Sequence, residues 1–262
     1  MAGKVCMITG AGSGVGRATA VLLDSLQWRV ALVGRTPSKL AGTAALLAQE
    51  PCVIEADLSS PGGAASAARA ARDFCCGRLD ALVNNAGVAP REFVPESREA
   101  SLRACMETNS IAPAVLVSEL WRDLVAARGK VVNVSSMSAV DPFSGFLAYG
   151  ASKAALESLT RSINVEGKEL GVTAYTLRLG AVETPMLRGL FSEADLPPAD
   201  CLSPAVVADE IHAVLSGHRD AKHADGDAIE LVTAPKDGKT FLKQTEAEPA
   251  PKPRWHLPNF FG

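Results

Sequence analysis

The sequence lacks the excess of basic residues that is typical of proteins that bind nucleic acids or anionic membranes. Its 262 residues include 26 Lys and Arg against 29 Asp and Glu, which gives a formal net charge of −3 at pH 7. Without a basic excess, the chain has no general attraction for a phosphate backbone or for anionic lipid headgroups. We therefore expect neither a nucleic-acid partner nor a membrane partner.

Long apolar runs and metal-binding spacings are missing as well. No stretch approaches the roughly 18 uninterrupted apolar residues of a membrane span, and the N-terminus has no basic segment followed by an apolar core and a cleavage site. The six cysteines contain no CxxC pair, and the four histidines are scattered without a third ligand at suitable spacing. The sequence predicts a reduced, cytoplasmic protein without a metal site.

Short apolar runs alternate with longer Ala- and Leu-rich stretches. The runs are continuous, as in strands that are covered by helices on both faces. Strands are predicted over residues 5–9, 29–33, 52–55, 81–84, 130–135, 172–178 and 228–232, and helices over 15–26, 38–48, 62–74, 98–126, 151–170 and 204–215. Repeated βα units of this length predict an α/β fold, a doubly wound parallel sheet of the Rossmann type with helices on both faces.

Two segments depart from this alternation. Residues 185–203 contain three prolines and several large apolar residues without a clear period, which predicts a long loop. Residues 1–232 are predicted to form one domain, and residues 233–262 a Pro-, Lys- and Glu-rich tail that ends in Trp255, Phe260 and Phe261. The tail is either irregular or docked through its aromatic residues on a neighbouring subunit or a pocket.

A glycine-rich segment, TGAGSGVG at residues 9–16, joins the first predicted strand to the first predicted helix. Glycines permit a tight turn and bring backbone amides close to a ligand, and the helix N-terminus adds unpaired N–H donors for an anion. At this place in a βαβ unit, the segment predicts a dinucleotide pyrophosphate site. Its candidate contacts are Gly10, Ser13, Gly14, Val15 and Gly16.

The spacing of these glycines resembles the motif of the short-chain dehydrogenase/reductase family, whose members are Rossmann-fold NAD(P)-dependent oxidoreductases. The resemblance extends over the first 232 residues. It implies that Asp57 and Leu58, after the third strand, lie at the adenine. It also implies that the turn NNAG at residues 84–87 supports the cofactor and the central sheet through Asn85, Ala86 and Gly87.

The end of the second strand indicates which dinucleotide is bound. An acidic side chain there would accept hydrogen bonds from a ribose 2′-hydroxyl and repel a 2′-phosphate, but residues 33–36 read VGRT. Arg35 offers a guanidinium fork and Thr36 a hydroxyl to a phosphate. We expect NADP(H), with NAD(H) as the alternative if Arg35 is an ordinary solvated loop residue.

A serine, a tyrosine and a lysine follow the fifth predicted strand. Tyr149 and Lys153 are four residues apart, so that on a helix they lie one turn apart on the same face. An ammonium near a phenol lowers the pKa of the phenol, so Tyr149 is predicted to give a proton to a carbonyl or to take one from an alcohol. Ser136, at the carboxyl end of a central strand, is predicted to orient the reacting oxygen.

This Ser, Tyr and Lys arrangement looks like the active site of the same family, whose fourth member is an Asn in the preceding helix. Asn109 fits that place, which implies a proton relay through water to Lys153; otherwise Asn109 is a polar residue that bends the helix. The resemblance also places Tyr149 and Lys153 against the cofactor, with Lys153 on the nicotinamide ribose.

The segment after the sixth strand also resembles the family pattern, although Leu179 stands where the family usually has Pro. Gly180, Val182 and Thr184 are the candidate contacts to the nicotinamide. Because leucine does not fix the backbone angle as proline does, the surface that contacts the nicotinamide is expected to differ in shape from that of the family.

The cleft walls suggest a substrate with an apolar or ring-like body. Its candidate residues are Ser138, Phe143 and Phe146, together with Met186, Leu187, Leu190 and Phe191, which either form a lid or are simply buried. The predicted function is hydride transfer between NADP(H) and a small-molecule carbonyl or secondary alcohol. The alternatives are a catalytically silent NAD(P)-binding sensor or scaffold, and a related epimerase or dehydratase. The resemblance further implies a homodimer or homotetramer.

Overall fold

The structure is a computed structural model that describes residues 3–220, 227–233 and 240–241. Its strands are β1 (Val5–Thr9), β2 (Arg29–Gly34), β3 (Cys52–Glu55), β4 (Ala81–Asn84), β5 (Lys130–Ser136), β6 (Thr173–Leu179), β7 (Ile229–Thr233) and β8 (Thr240–Phe241). Its α-helices are α1 (Gly14–Ser25), α2 (Pro37–Ala44), α3 (Gly63–Cys75), α4 (Glu99–Met106), α5 (Ala112–Glu119), α6 (Trp121–Ala127), α7 (Leu147–Gly167), α8 (Pro185–Arg188) and α9 (Pro204–Leu215).

The strands form one sheet in the order β3-β2-β1-β4-β5-β6-β7-β8. All pairs from β3 to β7 are parallel, and the two-residue β8 is antiparallel to β7. The chain order reverses between β1 and β4, where a crevice opens at the carboxyl ends of the strands. The predicted doubly wound parallel sheet is thus confirmed.

Helices cover both faces of the sheet. Every residue of β1 and β4 is buried, which explains why these strands read as continuous apolar runs. On one face α1 and α9 pack together, with Leu23 and Ile211 in the core. On the other face α3 packs on α5, where small residues such as Ala68 allow close approach to Leu116.

The single helix predicted over residues 98–126 is wrong, because the structure breaks it twice. A wider π-helical turn, Glu107–Ile111, separates α4 from α5, and Leu120 separates α5 from α6. Pro113 has no N–H for the carbonyl of residue 109, and its ring would clash with that carbonyl in a regular α-helix. The extra width of the π turn accommodates this proline.

The long loop predicted over residues 185–203 is corrected in part. Pro185 begins the short helix α8, and the side chain of Thr184 caps it by accepting a hydrogen bond from the N–H of Leu187. Proline suits the first turn of a helix because the N–H that it lacks would have no partner there. The rest of the segment is irregular apart from a short turn of 3-10 helix at Pro198–Asp200.

The predicted boundary between domain and tail lies one residue before the end of β7. Trp255, Phe260 and Phe261 lie outside the described residues, so the division at residue 232 and the role of the tail stay predictions. Among the residues that are described, no helix is both long and apolar enough to cross a membrane.

Candidate functional site

The glycine loop lies at the carboxyl end of β1, beside the crevice. Gly10 and Gly14 adopt left-handed backbone angles, with φ of 67° and 53°, which are strained for a residue with a side chain. A Cβ atom on Gly16 would lie 2.4 Å from the carbonyl oxygen of Gly10. Ser13 is the N-cap of α1 and Val15 lies in its first turn, so free amides of that turn face the loop. The loop is therefore a backbone cradle that fits a pyrophosphate.

The turn after β4 is tied to this cradle through Thr9. The hydroxyl oxygen of Thr9 accepts hydrogen bonds from the backbone N–H groups of Asn85 and Ala86, each at 3.0 Å. In return, Nδ2 of Asn85 donates to the carbonyl oxygen of Thr9 at 2.9 Å. Thr9 is not among the predicted site residues; its signal in the sequence is a hydroxyl at the last position of a strand that enters a glycine turn.

The residues predicted to select the cofactor lie at the ends of β2 and β3. Arg35 is exposed and Thr36, the N-cap of α2, is partly exposed. Asp57 is also exposed, and its pKa is lowered mainly by hydrogen bonds from the side chain and backbone of Ser59, with a small contribution from the charge of Arg35. Leu58 is buried against the sheet. Arg35 therefore stands near Asp57 without an ion pair to it.

Ser136, Tyr149 and Lys153 come together at the carboxyl end of β5. Ser136 is the last residue of that strand, and Tyr149 and Lys153 lie on successive turns at the start of α7. Nζ of Lys153 lies 5.7 Å from the centre of the Tyr149 ring and donates a hydrogen bond to the carbonyl oxygen of Val134 at 2.7 Å. The Ser136 hydroxyl faces the phenol closely enough for a hydrogen bond. The predicted shared face of Tyr149 and Lys153 is present.

The prediction that Lys153 lowers the pKa of Tyr149 is not met in this structure. Burial raises the pKa of Tyr149, and the hydrogen bond with Ser136 opposes that effect only in part. Burial also lowers the pKa of Lys153 to about 8, while the nearby Cys105 and Glu157 act in the opposite direction. Loss of water is the largest cause of both shifts, since desolvation disfavours the charged form of each group.

Asn109 lies in the π turn and connects two parts of the site. Its Nδ2 donates to Oγ of Ser152 at 2.9 Å and to the carbonyl oxygen of Val88 at 3.0 Å, and its Oδ1 accepts from the N–H of Val88 at 2.9 Å. A Cβ atom on Gly87 would lie 3.3 Å from Oδ1 of Asn109 and 3.7 Å from Nζ of Lys153. Gly87 thus leaves room for Asn109 and Lys153 to approach each other.

The segment after β6 lies against the glycine loop. The N–H of Gly180 donates to the carbonyl oxygen of Leu231 at 2.8 Å, and Val182 forms a strand-like bridge with Leu202. The methyl group of Thr184 lies 2.9 Å from the position that a Cβ of Gly14 would take, so that these two segments meet.

Leu179 shows why proline is dispensable at its position. It is buried as the last residue of β6, in register with Ser136 on one side and Leu231 on the other. A leucine supplies an N–H to this ladder, whereas a proline would not. The strand therefore runs one residue further than predicted.

An aromatic wall leads away from Tyr149. The ring of Phe146 meets that of Tyr149 edge to face, with centroids 6.1 Å apart, and stacks on Phe191 at 6.2 Å. Phe143 and Met186 are exposed, whereas Ser138 is buried against Gly150. Of the predicted cleft residues, Phe146 and Phe191 form the continuous wall.

The described residues contain no group of three His, Cys, Asp or Glu side chains that is placed to hold a metal ion. A profile of the short chain dehydrogenase family matches residues 4–195, nearly three quarters of the chain. The chain belongs to the short-chain dehydrogenase/reductase family.

Individual relatives agree with this assignment. The chain is 35% identical over 202 residues to Protein FixR of Bradyrhizobium diazoefficiens, covering 70% of this chain and 69% of FixR. It is 36% identical over 201 residues to 11-beta-hydroxysteroid dehydrogenase A of Arachis hypogaea, covering 74% of this chain and 56% of that protein. A solved short chain dehydrogenase/reductase family protein superposes with a TM-score of 0.78 at 29% identity, covering 87% of this chain and 95% of that one.

Membership in this family makes the protein an oxidoreductase of CH–OH and C=O groups on small molecules. It also makes NAD(P)(H) the cofactor class, in agreement with the glycine cradle described above.

Proposed function

We propose that the protein transfers hydride between NADP(H) and a carbonyl or secondary alcohol with an apolar or ring-like body. The observation that carries this proposal is the convergence of Ser136, Tyr149 and Lys153 at the carboxyl edge of the sheet, where the glycine loop also lies. A Tyr and Lys pair at helical spacing is common and is weak evidence by itself. Here the pair lies at the same edge of the sheet as Ser136 and the glycine loop, and this combination supports catalysis.

The cofactor, when bound, supplies or accepts the hydride. Gly10, Ser13, Gly14, Val15 and Gly16 would hold its pyrophosphate. Asp57 and Leu58 would lie at the adenine. The turn formed by Asn85, Ala86 and Gly87 would support the central part of the cofactor. The nicotinamide would contact Gly180, Val182 and Thr184.

Tyr149 is the proton donor in the reductive direction. Hydride addition to the carbonyl carbon leaves negative charge on the oxygen, and transfer of the phenolic proton to that oxygen gives the neutral alcohol. Because burial raises the pKa of Tyr149, the phenol stays protonated at neutral pH and is ready to donate. Ser136 donates a second hydrogen bond to the same oxygen and holds it toward the phenol.

Lys153 stabilises the phenolate that remains after this transfer. Its ammonium, 5.7 Å from the ring centre, is held by the carbonyl of Val134 and so cannot swing away. In the oxidative direction the same charge favours loss of the phenolic proton. Asn109, fixed on Val88 and Ser152, would complete a relay through water to Lys153.

The surroundings of Arg35 support NADP(H). Arg35 is exposed at the end of β2, where its guanidinium can form paired hydrogen bonds with a 2′-phosphate. NAD(H) is the alternative, since Asp57 also lies near Arg35.

We expect Arg35→Asp to reverse the cofactor preference. The carboxylate would repel a 2′-phosphate and accept hydrogen bonds from a free 2′-hydroxyl. The ratio of kcat/KM for NADPH to that for NADH should fall by about 100-fold, which equals the loss of roughly 3 kcal/mol of charge-assisted binding. Steady-state kinetics with both cofactors measures it, with Arg69→Gln on α3 as a charge-removal control. An unchanged ratio in Arg35→Asp would show that Arg35 is only a solvated loop residue.

The aromatic wall supports a substrate with an apolar or ring-like body. Phe146 and Phe191 continue the surface of the Tyr149 ring, and one relative is an 11-beta-hydroxysteroid dehydrogenase by name. We also propose a homodimer or homotetramer in the cytoplasm. The oligomer rests on the resemblance to the family, whose members usually associate in this way.

The oxidation of NADPH in the presence of a broad panel of aldehydes and ketones tests the proposal. Turnover of carbonyls with an apolar or aromatic body is expected. A protein that binds NADPH but consumes none across the panel would instead be the sensor or scaffold, which has kept the fold without the chemistry.

A further inference from the structure

Arg91 lies beside the cleft and has no charged partner among the described residues. The guanidinium of Arg91 lies over the ring of Phe191, 5.3 Å from its centroid. Arg91 is exposed, and within the part of the chain that the structure describes it makes no side-chain hydrogen bond or ion pair. Phe191 stacks on Phe146, which in turn meets Tyr149. Arg91 therefore stands at the far end of the aromatic wall that starts at the proposed proton donor.

The stem of Arg91 is held in place by the loop that precedes α7. Its Cγ lies 3.1 Å and its Nε 3.7 Å from the position that a Cβ of Gly145 would take, and Gly145 has a φ of 84°. The N–H of Glu92 donates to the carbonyl oxygen of Gly145 at 2.8 Å, which fastens the two loops together. The arginine is thus placed along the wall by Gly145 and by the ring of Phe191.

The neighbouring carboxylates are engaged elsewhere. Glu92 accepts hydrogen bonds from Nε of Arg98 at 2.8 Å and from the hydroxyl of Ser101 at 2.7 Å. Asp195 is close enough for Arg91 to lower its pKa slightly, but the main causes are the hydrogen bonds from Ser192, whose hydroxyl donates to Oδ2 at 2.7 Å. Asp195 forms no ion pair with Arg91 among the described residues, so the charge of Arg91 is available to a ligand.

We propose that Arg91 binds an anionic group of the substrate, which is then an amphiphile with a carbonyl or alcohol at one end and a carboxylate or phosphate ester at the other. This inference rests on the proposed function, because it assigns the substrate class of the same cleft. The flat body of the substrate packs on Phe146 and Phe191. The anionic group meets the guanidinium fork, which is suited to paired oxygens and is weakly hydrated beside an aromatic ring.

Ligand binding to the full-length protein tests this without turnover. Isothermal titration compares 2-naphthoate and 2-naphthyl phosphate with the neutral isostere 2-naphthamide, in the wild type, in Arg91→Gln and in Arg91→Lys. At least one anion is expected to bind the wild type about ten-fold tighter than the amide. This ratio should fall to about one in Arg91→Gln and be partly kept in Arg91→Lys. Which anion is preferred distinguishes a carboxylate from a phosphate ester.

Arg69→Gln on α3 removes an exposed arginine that is not among the cleft residues and is expected to keep the wild-type ratio. The proposal is overturned if the wild type shows no preference for either anion, or if Arg91→Gln keeps the preference, in which case Arg91 only fastens Phe191. Failure of the proposed function gives a different result, because NADPH is then not oxidised with any carbonyl of the panel. That result does not depend on the ratio of anion to amide affinity.

Discussion

Tyr149→Phe is expected to lower kcat by about two to four orders of magnitude, the usual contribution of a positioned general acid. The substitution removes only the hydroxyl, and the remaining ring keeps its edge-to-face contact with Phe146. The affinity for NADPH should therefore stay close to that of the wild type. Steady-state kinetics with a carbonyl from the panel, together with fluorescence titration of NADPH, measures both quantities.

The chain offers a matched control, since it contains only two tyrosines. Tyr175 is buried in β6, and its hydroxyl bonds with Asp220 at the opposite end of the strand from Ser136. Tyr175→Phe should cost about 1 kcal/mol of stability through the lost hydrogen bond, with kcat retained. Equal kcat values for Tyr149→Phe and the wild type would remove the phenol from the mechanism.

Lys153→Met is expected to abolish most of the activity while it stabilises the fold. The loss of a fixed charge beside the developing phenolate should lower kcat by about 100- to 1,000-fold, as for other preorganised electrostatic groups. The free energy of unfolding should rise, because a fully buried ammonium is replaced by an apolar side chain of similar length. Lys168→Met, an exposed lysine just after α7, is the control for both measurements.

The stability change in Lys153→Met should depend on pH. The pKa of Lys153 is about 8 in the folded chain against an ordinary value of 10.5, so between these values the unfolded chain binds more protons and the stability of the wild type rises with pH. At pH 7 the burial of the charge costs about 3 kcal/mol. The variant should thus be more stable than the wild type at pH 7, with a difference that shrinks as pH rises from 8 toward 10.5. A constant difference would contradict a buried ammonium.

The sheet could be predicted from the sequence because its strands are buried on both faces. Continuous apolar runs identify such strands, and the observed strand bounds differ from the predicted ones by at most one residue at each end. The helix over residues 98–126 could not be divided correctly from periodicity alone. Its first break arises because Pro113 would clash with the carbonyl of residue 109 in a regular helix. The spacing of apolar residues contains no information about this clash.

The parts of the site that follow from a sequence motif could be predicted, whereas the pKa values that depend on burial could not. The glycine loop and the Tyr149–Lys153 spacing follow from chain geometry. The pKa of Tyr149 depends on how much water its surroundings exclude, which requires the packed structure. The contact of Arg91 with Phe191 joins residues 100 positions apart in separate loops, and no short-range signal links them.

The proposed chemistry requires the phenol of Tyr149 to lie beside the reacting end of the cofactor. Absorbance titration of tyrosinate near 295 nm tests this directly in Tyr175→Phe, where Tyr149 is the only tyrosine left. We predict a single ionisation above the ordinary pKa of 10 in the free protein, which shifts to lower pH when NADP⁺ is bound because its cationic nicotinamide favours the phenolate. An ionisation that is unchanged by saturating NADP⁺ would contradict the account.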